Sequence, residues 1–82
     1  MKFEKHVVFL GMVPNYLRDG GIYYTISLYD QDSGPVQVNV TESHTEVIQP
    51  LLHCTFGAPI DVTFELRPKE RLYRLTLSSV EI

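Results

Sequence analysis

From Ile22 to Tyr29 the chain changes character at every step: Ile22, Tyr24, Ile26 and Leu28 share one parity, and Tyr23, Thr25, Ser27 and Tyr29 the other. A period of two belongs to a β-strand with one face on a core and one in water. It excludes a one-faced helix, whose apolar residues recur three and four apart. The pattern returns twice. Val36, Val38 and Val40 alternate with Gln37, Asn39 and Thr41, and Ile60, Val62, Phe64 and Leu66 alternate with Asp61, Thr63, Glu65 and Arg67. The apolar parity of all three runs is expected to form one buried cluster, because a one-residue slip would turn every member of a strand to solvent.

The segments between these runs supply the punctuation. Asp30 to Gly34 is a polar turn that makes Ile22–Tyr29 and Pro35–Thr41 an antiparallel hairpin. Residues 3–13 are apolar on both parities, which predicts a long strand buried on both sides for part of its length. Gly11 permits a bend or bulge there, as a strand shared by two halves of a small barrel requires. Pro14-Asn15 and Asp19-Gly20-Gly21 then bracket a loop.

Within residues 43–56, Val47, Ile48, Leu51 and Leu52 recur at helical spacing after a capping-box pair, Ser43 and Glu46. Pro50 should kink or end that helix, so a short one is expected. A turn at Pro68-Lys69-Glu70 leads to a last strand over residues 72–82. In it Tyr73, Leu75 and Leu77 share one parity, and Val80 and Ile82 the other. The switch predicts a bulge near Ser78-Ser79.

Eighty-two residues make one domain, 1–82, with a core small enough that homo-oligomerisation is expected. A hydrophobic fraction of 44% and a charged fraction of 21% exclude disorder along the whole chain. No apolar run reaches the roughly 20 residues of a membrane span. The opening MKFEKHVVFLGMVPN has no uninterrupted apolar stretch of a secretory signal, and a cytoplasmic location is expected.

Catalytic constellations are not formed, so no enzyme, metal or cofactor is expected. Asp30 and Asp32 sit on a turn without a histidine or nucleophile beside them, and Cys54 lies among Leu51, Leu52 and Phe56 as a structural thiol. His6, His44, His53 and Cys54 do not have zinc-ligand spacing. Gly20-Gly21 precedes a strand rather than a helix, which is not the setting of a phosphate-cradling loop.

Strand, strand, strand, short helix, strand, strand is the order of an all-β, five-stranded, OB-fold-like Greek-key barrel, with other small five-stranded barrels as the alternative. Two surfaces of such a barrel stand out. The outward parity of the central hairpin would place Tyr23 and Tyr29 among Thr25, Ser27, Gln37, Asn39 and Thr41, a neutral hydrogen-bonding face with two rings able to stack on unpaired bases. The net charge of -3 argues against a protein that coats nucleic acid by charge alone. Four of the seven cations, Arg67, Lys69, Arg71 and Arg74, nevertheless gather on the last hairpin, and Tyr16 and Arg18 lie in the loop between strands one and two. Tyrosine and threonine also suit any half-exposed sheet, and charges at a hairpin tip also serve solubility.

In length, strand order and aromatic and basic hairpins, the chain resembles the small OB-fold single-stranded-DNA-binding proteins of bacteriophages and conjugative elements. The filamentous-phage proteins of this kind use tyrosines and basic residues on β-loops and work as dimers. The resemblance implies binding of single-stranded nucleic acid, DNA before RNA. Tyr16, Tyr23 and Tyr29 would stack, and Arg18, Arg67, Lys69, Arg71 and Arg74 would meet phosphates. The acidic net charge departs from the cationic pattern of those proteins. The second reading is a protein-interaction module or accessory subunit of a replication complex, with the same tyrosines as anchors.

Overall fold

The computed structural model describes residues 1–69 and 72–82, leaving aside the side chains of Lys69 and Tyr73. Five strands and one helix follow in the order β1 (Lys2–Tyr16), β2 (Ile22–Asp30), β3 (Gly34–Thr41), α1 (Thr45–Leu52), β4 (Pro59–Lys69) and β5 (Leu72–Glu81). The strands form one antiparallel sheet in the order β3-β2-β1-β4-β5. β1 is the shared strand: its first half pairs with β4 from Lys2 opposite Glu65 to Val8 opposite Pro59, and its second half with β2 from Val8 opposite Tyr29 to Tyr16 opposite Ile22.

The changeover is marked by a bulge. Phe9 pairs with Leu28 and Gly11 with Ser27, so Leu10 is the extra residue and Gly11 takes φ +147°, a backbone conformation that side chains of L-residues rarely adopt. The second bulge also falls where the parity switch places it: Thr63 pairs with Ser79 and Phe64 with Leu77, which leaves Ser78 unpaired.

The core follows from the alternation. Ile26, Leu28, Val38, Val40, Ile60, Val62 and Phe64 are buried together with Val7, Phe9, Leu77 and Val80, while Tyr24 and Val36 pack partly buried against them. Ile22 and Leu66, expected in the same cluster, are half-buried. Phe3 opposes Phe64 across β1 and β4 with ring centroids 5.4 Å apart.

Three local expectations are corrected. Pro14 and Asn15 do not open a loop, because β1 continues to Tyr16 and Pro14 pairs with Tyr24. Proline is tolerated on the outer side of a strand that β2 covers on one edge only. The helix is not ended by Pro50 but runs on to Leu52. A helix-interior proline costs about 3 kcal/mol. Burial of three aliphatic side chains, Val47, Ile48 and Leu51, contributes on the order of 1.5–3 kcal/mol each, enough to override it. The capping box is not formed either: His44 is the N-cap, its carbonyl accepts from Val47 and Ile48, and the Ser43 hydroxyl meets that of Thr41 at 2.9 Å instead.

α1 packs on β5, and β3 and β5, the two edges of the sheet, come close to each other. No helix among the described residues is long and apolar enough to cross a membrane.

Candidate functional site

The outward parity of β2 and β3 carries a laddered polar surface. Tyr23 opposes Thr41, Thr25 opposes Asn39, Ser27 opposes Gln37 and Tyr29 opposes Pro35. The middle rungs are tied by side chains. Asn15 Nδ2 donates to Thr25 Oγ1 at 2.9 Å, Thr25 Oγ1 donates to Asn39 Oδ1 at 2.9 Å, and Gln37 Nε2 donates to Ser27 Oγ at 3.5 Å. Successive ties link side chains of β1, β2 and β3.

Where the edges of the sheet approach, this surface meets the last hairpin. A groove of about 210 Å³ is lined by Asn39 and Thr41 of β3, His44 at the start of α1, Arg67 of β4, and Arg74 and Thr76 of β5. Arg67 and Arg74 oppose each other across β4 and β5. Arg67 donates from Nε to Glu65 Oε1 at 2.5 Å, and Lys2 lies 3.9 Å from the other carboxylate oxygen. The hydrogen bond from Arg67 holds the Glu65 carboxyl below its ordinary pKa, helped by the charges of Arg67 and Lys2, and raises that of Arg67. Arg74 is exposed and forms no ion pair among the described residues. Thr41 completes the wall, its hydroxyl 3.0 Å from His44 Nδ1.

The other expected residues are distributed around this groove. Tyr23 is half-buried and directly beside Thr41. Arg18 is exposed in the loop that joins β1 to β2 at the Tyr23 end, a loop closed by Leu17 N–H to the Gly21 carbonyl at 2.8 Å and Gly21 N–H to Asp19 Oδ1 at 2.9 Å. Tyr16 belongs to β1 rather than to that loop. It is 77% exposed, and its pairing with Ile22 puts it on the parity of Met12 and Pro14, opposite to that of Tyr23. The Lys69 backbone ends β4, and Arg71 lies outside the described residues.

Tyr29 is set apart. It lies six residue steps along the strand from Tyr23, about 20 Å, and it stands 45% exposed at the turn that carries Asp30 and Asp32. That end is acidic: a depression of about 530 Å³ is lined by Glu4, Asp30, Asp32, Asp61 and Glu81 with Lys5 and His6. Lys5 lies 3.5 Å from both Asp30 and Asp32, and His6 Nδ1 meets Asp61. Burial would raise the pKa of Asp30, but the Asp32 backbone N–H, the Ser33 hydroxyl and Lys5 outweigh it and hold the group below its ordinary value. Among the described residues no three His, Cys, Asp or Glu are arranged to hold a metal ion.

The polar hairpin face and the basic hairpin are expected from the sequence to share a groove, and Arg67 and Arg74 do line one with Asn39 and Thr41; the sequence does not single out His44 and Thr76, which also line it. The parity of Asn39 and Thr41 gives a face, and it does not say that His44 and Thr76 stand beside it. No protein-family model, curated protein or solved structure matches the chain.

Proposed function

We propose that this protein is a non-catalytic binder of single-stranded nucleic acid built on an OB-like barrel. Its strand lies across the outward face of β2 and β3 and into the groove between β3 and β5. The sheet order β3-β2-β1-β4-β5, with a shared and bulged β1, a helix between β3 and β4, and edges that approach each other, supports the barrel. The observation that carries the function is the meeting of Arg67 and Arg74 with Asn39 and Thr41 in one groove beside Tyr23. A base stacks on Tyr23, and the arginines meet the phosphates or base edges that follow. Arg18 extends the cationic side at the same end, while the acidic depression at the Tyr29 end repels the backbone and fixes where the strand leaves the face.

The test is the anisotropy of a labelled oligo-dT across a salt series. Three phosphate contacts give a slope of log affinity against log salt of about -2 for a single strand. A partner protein held by tyrosine anchors responds weakly to salt. Absence of oligonucleotide binding at low salt would overturn the proposal and leave the protein-interaction reading.

A further inference from the structure

The hydrogen bonds across the sheet have a direction, and that direction decides which side-chain groups face the groove. Asn15 Nδ2 lies 3.4 Å from the Val13 carbonyl as well as 2.9 Å from Thr25 Oγ1. A carbonyl only accepts, so Asn15 must present its amide nitrogen on that side. The Thr25 hydroxyl therefore accepts from Asn15 and gives its single proton onward, and Asn39 must receive it through Oδ1, at 2.9 Å. Both N–H groups of Asn39 are then left over at the groove, where they have no partner among the described residues. Arg67 uses only Nε on Glu65, and Arg74 has all its donors free among the described residues. The uncommitted amide and guanidinium groups are all donors.

From these uncommitted donors of Asn39, Arg67 and Arg74, gathered beside Thr41, we infer that the groove reads one unpaired guanine in a single strand, through its adjacent acceptors O6 and N7. A base stacked on Tyr23 lies next to Thr41, the direct cross-strand neighbour, and within diagonal reach of Asn39. Guanine offers O6 and N7 side by side, the pair that an arginine fork meets in bidentate fashion. Adenine places a donor beside N7, and thymine offers O4 beside a methyl group. The inference rests on the proposed binding of single strands, from which the experiment below separates it.

The probes are twelve-residue oligo-dT strands with one central position changed to dG, dA, dC, deoxyinosine or 7-deaza-dG, compared by competition at fixed salt. The dG and deoxyinosine strands, which share O6 and N7, are expected to bind about tenfold more tightly than the all-dT strand. The 7-deaza-dG strand, without the N7 acceptor, is expected to fall back toward it. Asn39→Ala and Arg74→Gln should each shrink the dG-to-dT affinity ratio severalfold, and so should Asn15→Ala, which releases the relay from a distance. Retention of the ratio in all three variants, each folded by circular dichroism, would overturn the inference. Equal affinity for every strand would also overturn it, assigning the donors to phosphate and leaving single-strand binding intact. A preference for dC would overturn it in favour of cytosine's acceptors, and no binding to any strand would remove the underlying proposal as well.

Discussion

Arg67 and Arg74 are direct cross-strand partners on β4 and β5, two guanidinium groups on one face of a hairpin. Like charges in that relation repel, and here only one of the two is matched, by Glu65, among the described residues. Under the proposed function, an anionic or acceptor-rich ligand in the groove would offset that repulsion. Arg74→Glu should therefore raise the urea midpoint, because it sets an acid opposite Arg67, and should lower oligonucleotide affinity at least tenfold at low salt. Unchanged oligonucleotide affinity in the folded variant would remove Arg74 from the binding site.

The two tyrosines of β2 should not be equivalent. Tyr23→Leu keeps an apolar side chain at a half-buried strand position while removing the ring beside Thr41, and should cost about 1–3 kcal/mol of oligonucleotide affinity with the salt slope unchanged. Tyr29→Leu, at the acidic end, should cost less than a few tenths. Titrations of both variants against the same oligo-dT decide it, and equal losses would extend the contacted face along the whole of β2.

Gly11 holds the bulge that hands β1 from β4 to β2. A Cβ there meets nothing within 4 Å, so the cost of Gly11→Ala is conformational rather than steric, arising from φ +147°. A residue forced into such a region costs about 1–3 kcal/mol. Chemical denaturation should show that loss in midpoint with an unchanged m-value. A neutral substitution would mean that the bulge relaxes into another backbone form.

Glu65 and Asp30 link stability to acid. Glu65 sits below its ordinary pKa chiefly because Arg67 donates to its carboxylate. Asp30 does so because the Asp32 N–H, Ser33 and Lys5 overcome the effect of burial. A carboxyl depressed in the folded state binds its proton more readily when unfolded. Its contribution is full above the ordinary carboxylate range and is lost as pH falls below about 4. Urea midpoints measured between pH 7 and pH 3 should decline in that window, and the decline should be shallower in Glu65→Gln. The same acid limb in wild type and variant would show that Glu65 titrates alike in both states.

Much of the fold is legible in the residues one strand at a time. The alternation from Ile22 to Tyr29 and from Val36 to Thr41 decides which side chains enter the core, because the period of two is local to the backbone. The parity switch in β5 likewise announces the bulge at Ser78. Local signals fail where burial outweighs them. Pro50 is carried inside α1 by the aliphatic residues around it, and Pro14 lies in β1 because β2 extends far enough to pair with it.

The candidate site is less legible, since it joins residues whose relation no local rule expresses. Asn39 and Arg74 are 35 positions apart (74 minus 39) yet line one groove, because the two edges of the sheet approach each other. Sequence alone determined that the chain makes alternating strands with a tyrosine-bearing polar face and a basic hairpin. Tertiary structure decided that Tyr23 and not Tyr29 is the cross-strand neighbour of a groove residue, Thr41. It also decided that Asn39 keeps its amide N–H groups uncommitted among the described residues, because the direction of a hydrogen-bond relay is set by a carbonyl, at Val13, two strands away.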